Sequence, residues 1–261
     1  MQPESTTTNL STYNLLVLID NLKTKLKDYE PPSEGVLKKL GEYDMIEHVY
    51  NSNAIEGNSL TLEEIALVIE GHTINQKPLR HHLEADSLSK AYLYCELLIK
   101  NNTSITENEI KNIHSLVLNH DPINRGEYRK YDVRIGNSVY IPPISEQVPS
   151  LMKNLIFEYM AFKLHPIEKI AIFHANFESI HPFIDGNGRT GRLIIDIQLA
   201  QNGYPKSKIK FIERTEYYEC IETYEINNNS ELIIKLIANH VLQELQSQLL
   251  MLQKRNNLNS Q

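Results

Sequence analysis

The stretch HPFIDGNGRTGR, from His181 to Arg192, combines the side chains that phosphate chemistry uses. Histidine titrates near pH 6.5 when unperturbed, so His181 suits a general base at neutral pH. Asp185 offers hard carboxylate oxygens of the kind that Mg²⁺ prefers. The turn Gly186–Gly188 lets the backbone approach an anion closely, and Arg189 and Arg192 add two guanidinium groups on one helix face. The stretch therefore predicts a site that binds phosphate groups and reacts with them.

The flanking residues place this stretch between two helices. Pro182 disfavours a helical conformation at the residue before it, so we expect the helix Pro166–Ile180 to stop and leave His181 on a loop. A second helix is predicted over Gly188–Gln201. The positive end of its helix dipole, at the N-terminus, would then point toward the same loop.

The composition is that of a globular protein with a substantial core. Hydrophobic residues make up 41% of the 261-residue chain, which indicates one large domain or a domain with an extension. No apolar run is long enough to span a membrane, and the polar N-terminal residues do not resemble a signal peptide. We therefore expect a cytoplasmic protein without membrane contact. The net charge of −7 disfavours nucleic-acid binding.

Helical periodicity dominates the rest of the chain and predicts an all-α fold. Thr61 and Glu64 form a capping box ahead of one helix, and Gly57 fits a left-handed cap at the end of another. The helices are predicted at about 10–27, 36–56, 62–69, 83–100, 106–118, 146–164, 166–180, 188–201, 216–224 and 230–254.

One segment, residues 126–143, breaks the helical pattern. Apolar residues alternate on both sides of Gly136-Asn137, which is the pattern of a β-hairpin with a tight turn. Pro142 and Pro143 would end the second strand. We therefore expect one small β-hairpin within the helical fold.

The stretch His181–Arg192 matches every fixed position of HxFx(D/E)GNGRxxR, and in this the chain resembles the Fic (filamentation induced by cAMP) family. The resemblance extends from about Tyr43 to Ile237. It implies an N-terminal helical region at 1–82 with an inhibitory helix at about 43–57, a Fic domain at 83–240, and a C-terminal helix and tail at 241–261. It also implies a protein adenylyltransferase, which transfers AMP from ATP to a Tyr, Thr or Ser hydroxyl of a protein, itself included.

The resemblance also implies roles for single residues. His181 would deprotonate the target hydroxyl, and Asp185 would hold Mg²⁺ between the α- and β-phosphates of ATP. The phosphates would contact Gly186, Asn187, Gly188, Arg189 and Arg192. The nucleoside would lie beside Tyr217 and Tyr218, although a tyrosine pair on a helix is more often part of a core. Relatives often carry an asparagine near the adenine where this sequence has Glu225, so adenine specificity stays open.

Two further regions resemble functional parts of the family. The segment SNAIEG, Ser52–Gly57, is similar to the inhibitory motif (S/T)xxxE(G/N), and by resemblance Glu56 pairs with Arg192 and blocks the productive position of the γ-phosphate. An exposed glutamate at a helix end is the plainer interpretation. The hairpin resembles the flap on which a target protein docks. Its tip would comprise Ile135, Gly136, Asn137, Ser138, Val139 and Tyr140. A purely structural hairpin is the alternative.

Other functions stay open at this point. Relatives with the same scaffold remove AMP or transfer phosphate or another group, and a glutamate placed like Glu56 orients water in some of them. Arg192 disfavours phosphotransfer, because such relatives usually lack the second arginine. A non-catalytic regulatory module is a further class, which the complete motif disfavours. The expected partners are ATP, an unidentified protein target and, as in family members that dimerise, a second copy of the chain in a homo-oligomer.

Overall fold

The computed structural model describes residues 10–136 and 138–259, with side chains to residue 256. The α-helices of this part are α1 (Thr12–Leu26), α2 (Glu34–Ile55), α3 (Leu62–Ile69), α4 (Leu79–Lys100), α5 (Glu107–Val117), α6 (Val148–Ala161), α7 (Pro166–Ile180), α8 (Asn187–Gln201), α9 (Arg214–Asn227) and α10 (Glu231–Asn259). Short 3₁₀ turns lead into α6 and α9. None of the described helices is both long and apolar enough to cross a bilayer.

The helices predicted from periodicity are all present, and their ends follow the expected capping chemistry. Thr61 Oγ1 accepts from the Glu64 N–H (3.2 Å) while Glu64 Oε2 accepts from the Thr61 N–H (2.8 Å), which is the predicted capping box. Gly57 has a φ of +93° at the end of α2, as a left-handed cap requires. Because α7 ends at Ile180, His181 stands outside the helix as expected.

α8 is the central helix and lies between two hydrophobic cores. Leu193, Ile194 and Ile197 face a core built with α2 to α7, whereas Ile195 and Leu199 face a core built mainly with α1, α7, α9 and α10. Each of these side chains is at most 1% exposed. A helix with apolar residues on opposite faces belongs inside a fold, so its first turn is held between packed neighbours.

The prediction of a β-hairpin at residues 126–143 is wrong, because the described residues of this segment form no strand. Asn137, at the predicted tip, lies outside the described residues. A turn does form beside it, where the Ser138 N–H donates to the Ile135 carbonyl (2.8 Å) and Gly136 has a φ of +41°. The described residues on either side of Asn137 are therefore joined by one turn-type hydrogen bond and form no strand ladder.

The composition of this segment explains why the ladder is missing. Its arms meet at their base, where the Ser145 N–H donates to Asp132 Oδ1 (2.7 Å), but Pro142-Pro143 provide no N–H groups for pairing. The alternating apolar side chains cover no core, since Tyr131 and Val139 are 75% and 72% exposed. A two-stranded hairpin without such packing is marginal in water. We call residues 130–144 the flap loop.

Gly191 on α8 lets this helix approach α7 closely. A methyl group at this position would lie 2.5 Å from Glu178 Oε1 and 2.9 Å from Cε1 of His174, both on α7. Both side chains are buried among packed neighbours and have little room to move. By contrast, a methyl group on the exposed Gly41 of α2 would have no heavy atom within 4 Å.

We expect Gly191→Ala to lower the free energy of unfolding by about 1–3 kcal/mol, because α7 and α8 must move apart to fit the methyl group. Gly41→Ala is the matched control and should raise stability by about 0.5–1 kcal/mol, since alanine favours a helix. Denaturant unfolding followed by circular dichroism measures both changes. Unchanged stability of Gly191→Ala would show that the two helices have room between them.

Candidate active site

His181 stands at the junction between α7 and the loop that precedes α8. Its backbone is left-handed (φ 48°, ψ 61°), and its N–H donates to the Phe177 carbonyl (3.0 Å) as the last bond of α7. Its carbonyl accepts from Nε of Arg129 (2.8 Å). A left-handed conformation costs a non-glycine residue about 1 kcal/mol, so these two bonds must hold it. The imidazole is thereby fixed at the end of a packed helix.

The imidazole of His181 is neutral at neutral pH. Burial lowers its pKa to about 4, the Glu178 carbonyl acts in the opposite direction, and the positive charge of Arg129 lowers it further. The residue as a whole is partly exposed, whereas Nδ1 of its ring is buried. A neutral ring at this position can accept a proton from a group that approaches it.

The side chain of Asn187 holds the loop between His181 and α8. Nδ2 of Asn187 donates to the Phe183 carbonyl, and Oδ1 accepts from the Phe183 N–H, both at 2.9 Å. Gly186 caps α8 with a φ of +76°, a conformation that suits glycine. Since both polar atoms of the Asn187 side-chain amide are bonded within the loop, only the backbone N–H of Asn187 is left to make the predicted contact with phosphate. The first N–H groups of α8 face away from the helix and are suited to an anion.

Asp185 lies in this loop with its side chain 43% exposed. Oδ1 accepts from the Gly186 N–H (2.6 Å) and from Nη2 of Arg189 (3.0 Å), and Oδ2 accepts from Nη2 of Arg80 (2.9 Å). Burial acts to raise the pKa of Asp185, but Arg189, the Gly186 N–H and Arg80 outweigh it and hold that pKa below its ordinary value. The site therefore presents an ionised, accessible carboxylate.

His114 on α5 supports the backbone of this loop. Its ring stacks on Phe183 with the centroids 3.6 Å apart. The Gly126 N–H donates to Nδ1 (2.9 Å), so Nε2 carries the proton and donates to the Asp185 carbonyl (2.9 Å). Burial lowers the pKa of His114 to about 4, which keeps this neutral tautomer at neutral pH. The sequence reasoning missed His114; its only signal was a place on the buried face of α5.

Arg192 is buried (3% exposed) and is bonded to the last turn of α2. Nε donates to Ser52 Oγ and Nη2 to the Ser52 carbonyl, both at 2.9 Å, and Nη2 also donates to Glu56 Oε1 (2.8 Å). Gly188 leaves the space for this contact, because a methyl group there would lie 2.8 Å from Nη1 of Arg192. The structure thus brings Ser52, Glu56 and Arg192 together across 136 residues of chain.

Comparisons with known proteins cover this site and much of the chain around it. Residues 104–199 match the profile of the Fic/DOC family. A protein adenylyltransferase Fic from Nematostella vectensis is 35% identical over 214 residues, which is 79% of this chain and 49% of that protein. The solved structure of Fic-1 (residues 134–508) from C. elegans superposes with a TM-score of 0.83 at 25% identity, covering 94% of this chain and 73% of that one.

The chain carries a domain of the Fic/DOC family. A Fic-domain signalling protein from Bacteroides thetaiotaomicron has the same fold, with a TM-score of 0.81 at 23% identity over 88% of this chain and 95% of that one. The chain spans about half the length (49%) of the Nematostella relative. The matched profile contains His181, Asp185 and Arg192, whereas Glu56 and α9 lie outside it.

α9 contributes two adjacent tyrosines beside the Fic motif. Tyr217 is 1% exposed and lies in the core, where its hydroxyl bonds to Nε2 of His174 (2.8 Å) and its ring centroid is 5.7 Å from Cζ of Arg192. Tyr218 is 39% exposed and offers an accessible ring. Burial raises the pKa of Glu225 to about 7, and the negative charge of Glu225 adds to the effect of burial in raising the pKa of Tyr140 in the flap loop.

Arg129 joins the flap loop of the Fic domain to His181. Its side chain is fully buried and donates to the carbonyls of His181 (2.8 Å), Tyr131 (3.1 Å) and Ile180 (3.3 Å), and also to that of Pro143. One guanidinium thus fixes both arms of the loop and the end of α7. Sequence reasoning missed this role, because a basic residue in a loop normally lies at the surface.

We expect Arg129→Leu to lower the free energy of unfolding by about 3 kcal/mol, since four carbonyl groups lose their buried donor. Arg125→Leu is the matched control at an exposed position of the same segment, and it should change stability by less than about 0.5 kcal/mol. Thermal unfolding of both variants measures the difference. Equal effects of the two substitutions would mean that the buried bonds of Arg129 are replaced by water at no cost.

Proposed function

We propose that this chain is a protein adenylyltransferase, which moves AMP from ATP to a hydroxyl group of a protein, itself included. The observation that carries the proposal is the convergence of a neutral histidine, an ionised carboxylate and a buried arginine around the N-terminus of α8. The Nematostella relative, 35% identical, is named a protein adenylyltransferase. Both observations favour the same reaction class.

In the proposed reaction the hydroxyl oxygen of a Tyr, Thr or Ser side chain attacks the α-phosphorus of ATP. A bond forms between that oxygen and the α-phosphorus, and the bond from the α-phosphorus to the bridging oxygen breaks. Pyrophosphate leaves with the electrons of the broken bond. His181 takes the proton of the hydroxyl, which its neutral imidazole is able to do at physiological pH.

Asp185 is the residue proposed to hold Mg²⁺. Its carboxylate fits, since it is a hard oxygen donor that is ionised and 43% exposed. No cluster of three or more His, Cys, Asp or Glu side chains suited to a metal occurs in the described part of the chain, so water and phosphate oxygens would complete the coordination. When bound, the ion would neutralise charge on the phosphates and on the leaving pyrophosphate.

The triphosphate is proposed to lie against the start of α8. Gly186, Asn187 and Gly188 would present backbone N–H groups to it. Within the described residues, Nε of Arg189 and Nη1 of Arg192 are buried donors without a hydrogen-bond partner. Unpaired buried donors are unfavourable, so an anion that accepts from them would gain more than it would at an exposed arginine.

Glu56 is proposed to inhibit this site from within the chain. It occupies Nη2 of Arg192, the arginine that would otherwise hold the γ-phosphate. The carboxylate of Glu56 is 34% exposed, so it can leave the contact without crossing the core. A preference of about 2.7 kcal/mol for the closed contact would lower turnover about 100-fold. The flap loop, exposed beside His181, is the proposed docking surface of the target protein.

Glu56→Gly should raise self-labelling by about 10- to 100-fold, because Arg192 then becomes free for the γ-phosphate. The test incubates the variant with ATP labelled at the α- or at the γ-phosphate and Mg²⁺, and counts label retained by the protein. Label from the α-position alone indicates AMP transfer, whereas label from the γ-position indicates phosphotransfer.

Glu70→Gly is the matched control for this variant. Glu70 is the exposed C-terminal cap of α3 and precedes Gly71 (φ +95°), as Glu56 is the C-terminal cap of α2 and precedes Gly57. It should leave self-labelling unchanged. Adding His181→Ala to Glu56→Gly should abolish transfer but keep ATP binding. If Glu56→Gly gains no label, Glu56 does not inhibit the site. If the double variant still transfers AMP, His181 is not the general base.

The pH dependence of the Glu56→Gly enzyme should report the lowered pKa of His181. The base form of a histidine is present above its pKa, so kcat/KM for ATP should stay level from pH 7 to about 5 and fall as the pH drops through about 4. Circular dichroism at each pH checks that the protein stays folded. A fall centred near pH 6.5 would instead indicate a solvated imidazole with an ordinary pKa.

A further inference from the structure

The two carboxylate oxygens of Asp185 have different surroundings. Oδ1 accepts from the Gly186 N–H (2.6 Å) and from Arg189 (3.0 Å), which is 2% exposed and held within the fold. Oδ2 accepts from Nη2 of Arg80 (2.9 Å), whose side chain is 64% exposed. One oxygen is therefore bonded to the packed framework, and the other is bonded to an arginine that can swing into solvent.

Arg80 has a second partner that does not involve the loop. Its Nε donates to Glu84 Oε1 (2.8 Å), one turn further along α4. Glu84 is 7% exposed and also accepts from Nδ2 of Asn58 (3.0 Å), so it stays in place when Arg80 moves. Leaving Asp185 would cost Arg80 one exposed bond while the bond to Glu84 is retained. Exposed ion pairs of this kind are weak.

We propose that Arg80 occupies Oδ2 of Asp185 in the metal-free protein and that the divalent cation must displace it to bind. The inference rests on the proposed function, in which Asp185 is the metal ligand. Oδ2 is the oxygen open to the metal, because its present partner is the one that can leave. A guanidinium and a divalent cation on the same oxygen repel each other. Arg80 is thus a positioning residue that lowers the affinity for the metal.

This competition explains how the site would distinguish a nucleotide-bound metal from a free ion. A free ion must break the ion pair between Arg80 and Asp185, and it gains only one protein ligand, the Asp185 carboxylate, in return. An ion that arrives with a triphosphate brings phosphate oxygens as further ligands, and these also attract the released guanidinium. The arrangement disfavours metal binding until the nucleotide is present.

The test measures the Mn²⁺ affinity of the nucleotide-free full chain by electron paramagnetic resonance of free Mn²⁺. Arg80→Gln should bind Mn²⁺ about threefold more tightly than the wild type, since the competing cation is gone. The gain should shrink at high salt, which screens an exposed ion pair. A general loss of stability would produce neither change.

Lys90→Gln is the matched control, because Lys90 is an exposed cation of α4 that pairs with Asp86 (2.6 Å) and not with Asp185. It should leave Mn²⁺ affinity unchanged. Asp185→Asn should weaken Mn²⁺ binding and cancel the effect of Arg80→Gln. Equal or weaker Mn²⁺ binding by Arg80→Gln overturns the inference while the metal site stands. Full Mn²⁺ affinity in Asp185→Asn overturns the metal site of the proposed function and the inference with it.

Discussion

The buried guanidinium of Arg192 is the interaction on which the arrangement of the site depends. A charge with 3% exposure must have an anion or strong acceptors beside it, because an unpaired buried charge costs several kcal/mol. The last turn of α2 supplies them through Ser52 and Glu56. Docking of α2 against α8 is thus tied to the same group that would hold a phosphate. Carboxylate and phosphate compete for one cation, so the proposed inhibition needs no large movement of the fold.

α8 makes this arrangement possible, because the same helix contributes apolar side chains to the core and polar side chains to the site. Its apolar residues fill both cores, and its first turn carries the loop with His181 and Asp185. Two glycines of α8 allow neighbouring groups to approach closely. Gly188 leaves room for the side chain of Arg192, and Gly191 leaves room for the side chains of His174 and Glu178. The loop with His181 and Asp185 is therefore attached to a helix that is buried along most of its length, which suits a site that acts by positioning.

The sequence predicted the features that depend on local patterns. Amphipathic periodicity and capping residues located the helices, since burial of an apolar face follows directly from their spacing. The contact between Glu56 and Arg192 was anticipated through a family motif and not through any physical pattern. The prediction of a β-hairpin was wrong, because alternating apolar residues form a strand only where a second surface covers their side chains. Here Tyr131 and Val139 face solvent.

The supporting residues of the site could not be predicted, because their contacts span long stretches of chain. His114 is 71 residues from Asp185, and Arg80 is 105 residues from it. Neither belongs to the motif, and each looks like an ordinary helix residue in isolation. Arg129 was missed for a related reason, since nothing local shows that a loop arginine turns inward to bind four carbonyl groups.

The order of α2 and α8 along the chain has a consequence for biosynthesis. Glu56 is translated 136 residues before Arg192. Since N-terminal segments leave the ribosome first, the carboxylate is already outside when the arginine emerges. Under the proposed inhibition, Glu56 would therefore be available to Arg192 as soon as the loop with His181 is assembled, so that newly synthesised copies would be inhibited from the start.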